Sequence, residues 1–147
     1  MPTIPGLRSP YVKIGKYFYF ARMLDKIRLH AAGKLPAEYQ ANLGDGSNPN
    51  GFDGRLCRFL RVNYDEVRRR ALAGETDEAI LAWALGASGR SEEEGDIWNA
   101  YLSKRGWRDE RTAALQKMAA DSGLAGRPIA TFFDYFDYDE GRVPPAL

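Results

Sequence analysis

The sequence is poor in the residues that most often bind metals or form disulfides. It has one cysteine, Cys57, and one histidine, His30. A single cysteine excludes an internal disulfide, and the absence of CxxC and HExxH motifs argues against a zinc site. We therefore predict no metal site and assign no cofactor. We expect a cytoplasmic location, because the first residues also lack the apolar run of a secretory signal.

Long hydrophobic runs and an excess of one charge are also missing. No stretch of about 18 apolar residues is present, which argues against a membrane-spanning helix. The 21 Lys and Arg residues are balanced by 20 Asp and Glu residues, so the chain has no general attraction to nucleic acid. Residues 68–70 are all arginine, but residues 92–94, which would begin a recognition helix, are all glutamate and would repel phosphates. We do not expect nucleic-acid binding.

What the sequence does contain is typical of one globular domain. Its hydrophobic content of 44% is enough for a core, and no repeat or linker divides the chain, so residues 1–147 are predicted to form a single domain. Capping residues precede segments whose apolar residues lie three or four apart, which predicts a mainly α fold of about six to seven helices. No segment shows the alternation of a strand. The helices are expected to begin at residues that include Ser9, Thr76, Ser91 and Thr131.

Residues 36–52 form the longest segment without a helical period. This segment contains Gly44, Gly46, Pro49 and Gly51 together with several Asn and Asp residues, which are all turn formers. Irregular loops of this length are uncommon in compact domains, and many of them bind ligands. We therefore expect a binding site to lie beside this loop.

Five long strings resemble a known protein family. They are GLRSPY at 6–11, RMLDKIRLHAAGKLP at 22–36, GFDGR at 51–55, IWNAYLSKRGWRDE at 97–110 and TFFDYFDYDEGR at 131–142. On these strings the chain resembles the bacterial domain-of-unknown-function family numbered 5069. The resemblance covers nearly the whole chain and implies a single domain of family size. It implies no activity, cofactor or catalytic residue.

Three side chains of the first helix form a row that suits an anion. Arg22, Lys26 and His30 lie four residues apart, so they share one side of the helix. The alternative is a solvated helix face on which His30 complements the negative end of the helix dipole. Our main hypothesis is small-ligand or anion binding between this helix and the 36–52 loop. The predicted lining residues are Arg22, Lys26, His30, Tyr39, Asp53 and Arg55.

Two other classes of function stay open. One is a noncatalytic protein-interaction subunit or homo-oligomer that docks through surplus aromatic residues, because such residues are enriched at interfaces. The other is a small enzyme that uses His30 with Cys57 or Asp53 as acid, base or nucleophile. Against the enzyme, a free cysteine among apolar residues is usually a buried hydrophobe, and Asp53 equally suits the N-cap of a helix.

Four acids lie in and after the last predicted helix. Carboxylates at the C-terminal end of a helix are mismatched with its dipole. We therefore predict that these acids pair with arginines or lie beyond the helix. They are Asp134, Asp137, Asp139 and Glu140.

Overall fold

The computed structural model describes residues 3–46 and 48–146, and within these ranges the fold is mainly helical, as predicted. Eight helices and one two-stranded hairpin are present there, so one helix more is found than the six to seven expected. The extra helix is a single turn inside the predicted 36–52 loop. In chain order the elements are β1 Lys13–Ile14, β2 Tyr17–Phe18, α1 Phe20–Ala31, α2 Ala37–Gln40, α3 Phe52–Leu60, α4 Tyr64–Leu72, α5 Asp77–Ser88, α6 Glu92–Ser103, α7 Thr112–Asp121 and α8 Phe132–Asp139.

The prediction of a helix beginning at Ser9 is wrong. The Ser9 hydroxyl accepts a hydrogen bond from the backbone N–H of Tyr11 at 3.1 Å, which closes a turn instead of a helix. The chain then forms the antiparallel pair β1–β2, whose turn contains Gly15 with φ +57°. Each strand has only two residues, which is too short to show the alternation of a strand in the sequence. The first long helix therefore begins about ten residues later than Ser9, at Phe20.

Helix α1 lies at the centre of the fold. Its residues Phe20, Met23, Leu24 and Ile27 are at most 1% exposed, and the helix packs against α4, α5 and β1. Burial of four large apolar side chains on one helix contributes several kcal/mol, at about 1.5–3 kcal/mol for each. Polar side chains of the same helix are thereby carried into the interior.

The predicted helix starts at Thr76, Ser91 and Thr131 are confirmed. The Thr76 hydroxyl accepts a hydrogen bond from the Ala79 N–H, and both Ser91 and Thr131 form reciprocal capping boxes with the acid three residues later. Each cap satisfies backbone N–H groups that lack an intrahelical partner, an effect of about 1 kcal/mol. None of the described helices is long and apolar enough to cross a lipid bilayer.

The described part of the 36–52 loop folds over α1 and the start of α3. The Gly44 N–H donates to an Asp53 carboxylate oxygen at 3.1 Å, and the Lys26 ammonium donates to the Asn42 carbonyl at 3.3 Å. Ser47 lies outside the described residues. These bonds hold the loop against α1, where it forms one side of a cavity.

Candidate functional site

A cavity of about 240 Å³ lies between α1, the 36–52 loop, α7 and α8. Its walls combine aromatic rings with charged groups of both signs, which is the usual chemistry of a small-molecule site. The aromatic lining residues are Tyr19, Tyr39, Phe52, Phe132, Tyr135 and Phe136, and the charged ones are Arg22, Lys26, Arg105, Arg111, Glu38 and Asp139.

The aromatic wall is centred on Phe52, the first residue of α3. The Phe52 ring meets Tyr19, Phe132 and Phe136 edge to face, with ring centroids 5.5 to 6.0 Å apart. Edge-to-face pairs of this kind add about 0.5–1.5 kcal/mol each beyond the area that they bury. The wall is therefore fixed by its own packing, and it offers flat apolar surface to the cavity.

A buried triad of Tyr19, Lys26 and Asp53 stands behind this wall. The Lys26 ammonium donates to the Asp53 carboxylate at 2.9 Å, to the Tyr19 hydroxyl at 3.1 Å and to the Asn42 carbonyl. Burial lowers the pKa of Lys26, and the Asp53 charge opposes that shift. Burial, together with the adjacent carboxylate, raises the pKa of Tyr19 well above its ordinary value. Because all three N–H bonds of Lys26 have acceptors, this ammonium has no donor left for a ligand.

A second buried ion pair joins α1 to the end of α8. The Arg22 guanidinium binds both oxygens of the Glu140 carboxylate, at 2.9 and 2.5 Å, and both side chains are at most 3% exposed. Tyr39 and Arg142 also donate to Glu140, at 2.9 and 2.7 Å. Burial disfavours the Glu140 charge, but the bonds and charge of Arg22 hold the pKa of Glu140 below its ordinary value. Arg22 is therefore committed to the fold.

The prediction for the acids of the last helix is confirmed for two of them. Glu140 pairs with Arg22 and Arg142, and Asp137 pairs with Arg142 at 3.4 Å. Asp134 lies in the first turn of α8, where it accepts from the Thr131 N–H as part of the capping box. The prediction is wrong for Asp139, which is the last residue of α8 and forms no ion pair with another described residue.

The end of the cavity near the start of α8 is basic. Arg105 is only 5% exposed, and its guanidinium donates to Glu110 at 2.7 Å. The Arg111 guanidinium lies 5.9 Å from the centroid of the Phe132 ring. Within residues 3–46 and 48–146, Arg111 forms no ion pair with a carboxylate. Of the four lining cations, Arg111 is thus the one that this part of the chain leaves without a counterion.

The opposite end of the cavity, near the end of α8, is acidic. Asp139 is half-buried there, and Glu38 of the short helix α2 lies nearby. Burial, and then the charges of Glu140 and Glu38, raise the pKa of Asp139. Neither Glu38 nor Asp139 has an ion-pair partner among the residues that the structure describes. The cavity therefore has unpaired charge of opposite sign at its two ends.

The structure brings together part of the site that the sequence predicted. Arg22, Lys26 and Tyr39 line the cavity, and Asp53 lies directly behind it, bound to Lys26. His30 is exposed in the last turn of α1 and does not line the cavity. Arg55 lies outside the cavity as well, because its guanidinium donates to the Tyr101 hydroxyl.

The pairings suggested for a small enzyme are not assembled. Cys57 is 1% exposed, its thiol lies 3.9 Å from the Met23 sulfur, and burial with the nearby Asp53 and Asp45 carboxylates raises its pKa to about 12. An activated thiol needs a lowered pKa. The hydrogen-bond partners of the Asp53 carboxylate are Tyr19, Lys26 and Gly44, so exposed His30 contacts neither Cys57 nor Asp53 in the described structure.

Sequence reasoning did not assign Arg105, Arg111 or Glu38 to the site. Arg111 lies 21 positions before Phe132 in the chain, and only the packing of α7 on α8 brings them together. Phe133 of α8 belongs to the core, with 0% exposure. Phe132, Tyr135 and Phe136 of the same helix line the cavity.

Comparison with known proteins identifies a family for this chain but no activity. No curated protein matches the sequence. The family model described as "Domain of unknown function (DUF5069)" matches residues 4–142, a range that includes every residue of the cavity. The chain therefore belongs to this family, DUF5069.

Proposed function

We propose that this protein binds a small organic anion in the cavity between α1 and α8. The anionic group pairs with Arg111, and the apolar body of the ligand lies against the aromatic wall around Phe52. The observation that carries this proposal is the placement of Arg111, which faces a cavity and has no carboxylate partner in the described chain.

The other cations of the cavity do not compete with Arg111 for this role. Lys26 and Arg22 have their donors engaged by Asp53 and Glu140. Arg105 is held by Glu110. A ligand that took a donor from the Lys26–Asp53 or the Arg22–Glu140 pair would leave a buried carboxylate without its partner, at a cost of several kcal/mol.

The backbone around Arg111 favours an anion further. Arg111 is the N-cap residue of α7, so its positive charge lies at the positive end of that helix dipole. Asp109 and Glu110 precede the helix and both pair with Arg105, and the Asp109 carboxylate also accepts a hydrogen bond from the Arg111 backbone N–H at 2.8 Å. A cation at this position is mismatched with the helix, and a bound anion removes the mismatch.

The dimensions of the cavity limit the ligand to a small molecule. Ligand sites for drug-sized compounds occupy about 300–1,000 Å³, and this cavity is smaller, at about 240 Å³. Six aromatic side chains belong to its lining. A short aliphatic or aromatic carboxylate therefore fits the cavity better than a nucleotide or a peptide.

The test uses hexanoate as the probe and the purified full-length chain. Titration followed by amide NMR is expected to shift the signals of Phe52, Phe132 and Tyr135. Arg111→Gln is expected to weaken binding about tenfold or more, because a charge-assisted hydrogen bond contributes about 1.5–3 kcal/mol. Lys117→Gln is the matched control, since Lys117 also lies on α7 but is 76% exposed and pairs with Asp121. Equal affinity of the wild type and Arg111→Gln contradicts the proposal.

Self-association is the second candidate function, because one surface region is exposed and apolar. Phe59, Trp98 and Ile97 line a shallow depression of about 300 Å³, and Ile97 is 62% exposed. The Phe59 and Trp98 rings stack with centroids 4.7 Å apart. We expect Ile97→Asp to shift a dimer to monomer in light scattering. A wild-type monomer at millimolar concentration removes this candidate.

A further inference from the structure

The cavity is asymmetric in charge along the axis of α8. Arg111 lies over the ring of Phe132, the first residue of the helix, and Asp139 is its last residue. Phe132 and Asp139 are seven positions apart, which corresponds to about 10 Å of helix at 1.5 Å per residue. One cavity is thus lined by a cation, Arg111, and by two carboxylates, Glu38 and Asp139, none of which forms an ion pair within the described residues.

We propose that the ligand is a dipolar molecule, an amine that also carries an acidic group, and that its amine binds between Glu38 and Asp139. This inference rests on the proposed binding of an anion at Arg111 and specifies the class of ligand. The anionic end meets Arg111, the apolar middle follows the aromatic wall, and the ammonium group reaches the end of α8.

The acidic end is suited to an ammonium group because no side chain of residues 3–46 and 48–146 forms an ion pair with Glu38 or Asp139. Asp139 lies at the negative end of the α8 dipole, where a carboxylate is unfavourable and a cation is favourable. Among the described side chains, Arg22 is the cation that acts on Asp139, but both of its terminal nitrogens bind Glu140. A ligand ammonium supplies the counterion that the described residues do not provide.

At each end of the cavity a charged residue lies at a helix end whose dipole has the same sign. Because this mismatch occurs at both ends, the cavity favours a dipolar ligand over a simple anion. Arg111 is a cation at the positive end of α7, and Asp139 is an anion at the negative end of α8. Each mismatch is relieved by a group of the opposite charge. A neutral ligand relieves neither mismatch, and a simple acid relieves only the one at Arg111.

The experiment compares three probes of equal chain length, hexanoate, 6-aminohexanoate and hexylamine, by calorimetry and amide NMR. For the wild type we expect 6-aminohexanoate to bind about tenfold more tightly than hexanoate. In Glu38→Gln/Asp139→Asn this advantage is expected to fall below twofold, while the affinity for hexanoate is retained. Asp121→Asn is the matched control, because Asp121 is an exposed carboxylate on α7 outside the cavity. Thermal unfolding of each variant verifies that it folds.

The outcomes separate this inference from the proposed function. If hexanoate binds through Arg111 and the amino group adds no affinity, the dipolar ligand is excluded and the anion site stands. If 6-aminohexanoate keeps its advantage in the double variant, the acidic end does not bind the amine and the inference is also overturned. If none of the three probes shifts the signals of the cavity residues, both proposals fail.

Discussion

The two sets of charges that surround the cavity differ in how they are partnered. Arg22 and Lys26 on α1 are 2% and 3% exposed, and each is bound to a buried carboxylate. Arg111 and Asp139, at the two ends of α8, are partly exposed and lack ion-pair partners in the described structure. The same residue types therefore stabilise the fold in one region and remain available to a ligand in the other.

Desolvation explains this division. Moving an ion out of water costs several kcal/mol unless a partner of opposite charge offsets the cost. Arg22 and Lys26 are carried inward by the apolar residues of α1, so the fold requires Glu140 and Asp53 beside them. Arg111 and Asp139 keep contact with water, so the folded protein tolerates them without partners. We therefore expect mutations of the partnered charges to lower the free energy of unfolding much more than mutations of the unpartnered charges.

The largest expected effect is that of Glu140→Gln. This change leaves the always-charged guanidinium of Arg22 buried without a counterion, and we expect the free energy of unfolding to fall by about 3–5 kcal/mol. Urea denaturation measures this loss. Asp121→Asn breaks the exposed Lys117–Asp121 pair, in which both side chains are more than 60% exposed, and serves as the control. We expect that control to cost less than about 1 kcal/mol. If both variants lose similar amounts of unfolding free energy, the buried Arg22–Glu140 pair does not stabilise the fold more than the exposed pair does.

We expect Asp53→Asn to lower the free energy of unfolding by about 3 kcal/mol at neutral pH, which is less than the loss expected for Glu140→Gln. The reason is that Lys26 can release its proton, whereas Arg22 cannot. Burial lowers the pKa of Lys26, so the unfolded chain holds this proton more tightly than the folded one. Stability therefore increases as pH rises from the folded pKa toward the ordinary pKa of lysine.

The measurement for Asp53→Asn is denaturation at pH 7 and pH 9. We expect the deficit of this variant relative to the wild type to shrink at pH 9, because the neutral amine of Lys26 needs no counterion. Glu140→Gln serves as the control, since its deficit depends on Arg22 and is expected to stay constant over this range. If the stability deficit of Asp53→Asn grows with pH, the loss is not caused by a buried Lys26 ammonium that lacks its counterion.

At acidic pH the wild type is expected to lose part of its stability advantage over Glu140→Gln. The pKa of Glu140 is lowered in the folded state, so its contribution is complete above the ordinary pKa of glutamate and is lost as pH falls through the folded pKa. Denaturation curves for both proteins between pH 7 and pH 3 are expected to converge toward low pH. Parallel curves over the whole range indicate that the carboxylate charge of Glu140 does not stabilise the fold.

The sequence predicted those features whose causes are local. Thr76 and Ser91 bind backbone groups three residues away, so their spacing was sufficient to place the helix starts. Ser9 followed by Pro10 suits a turn as well as a helix start, and the hairpin that follows the turn has two residues per strand. Arg22 and Lys26 lie four residues apart on α1, and the structure places both of them beside the cavity. His30, one turn further along, lies beyond the end of the cavity and is exposed.

The sequence did not indicate which charges would be available to a ligand. Arg22 is neutralised by Glu140, which lies 118 positions away in the chain, so the pairing depends on the packing of α8 against α1. Arg111 lacks a carboxylate partner because the acids next to it in the chain, Asp109 and Glu110, turn toward Arg105. Charge pairing over such distances is set by tertiary structure, and spacing along a helix does not reveal it.

The smallest expected effect on stability is that of Arg111→Gln. This change removes a partly exposed cation that has no carboxylate partner in the described chain and that lies at the positive end of α7. The loss of its contact with the Phe132 ring, about 0.5–1 kcal/mol at an exposed site, is offset by the removal of the unfavourable charge at the helix end. We therefore expect the free energy of unfolding to change by less than about 0.5 kcal/mol. Urea denaturation measures the change, and a loss of several kcal/mol places Arg111 with Arg22 and Lys26 among the charges that hold the fold together.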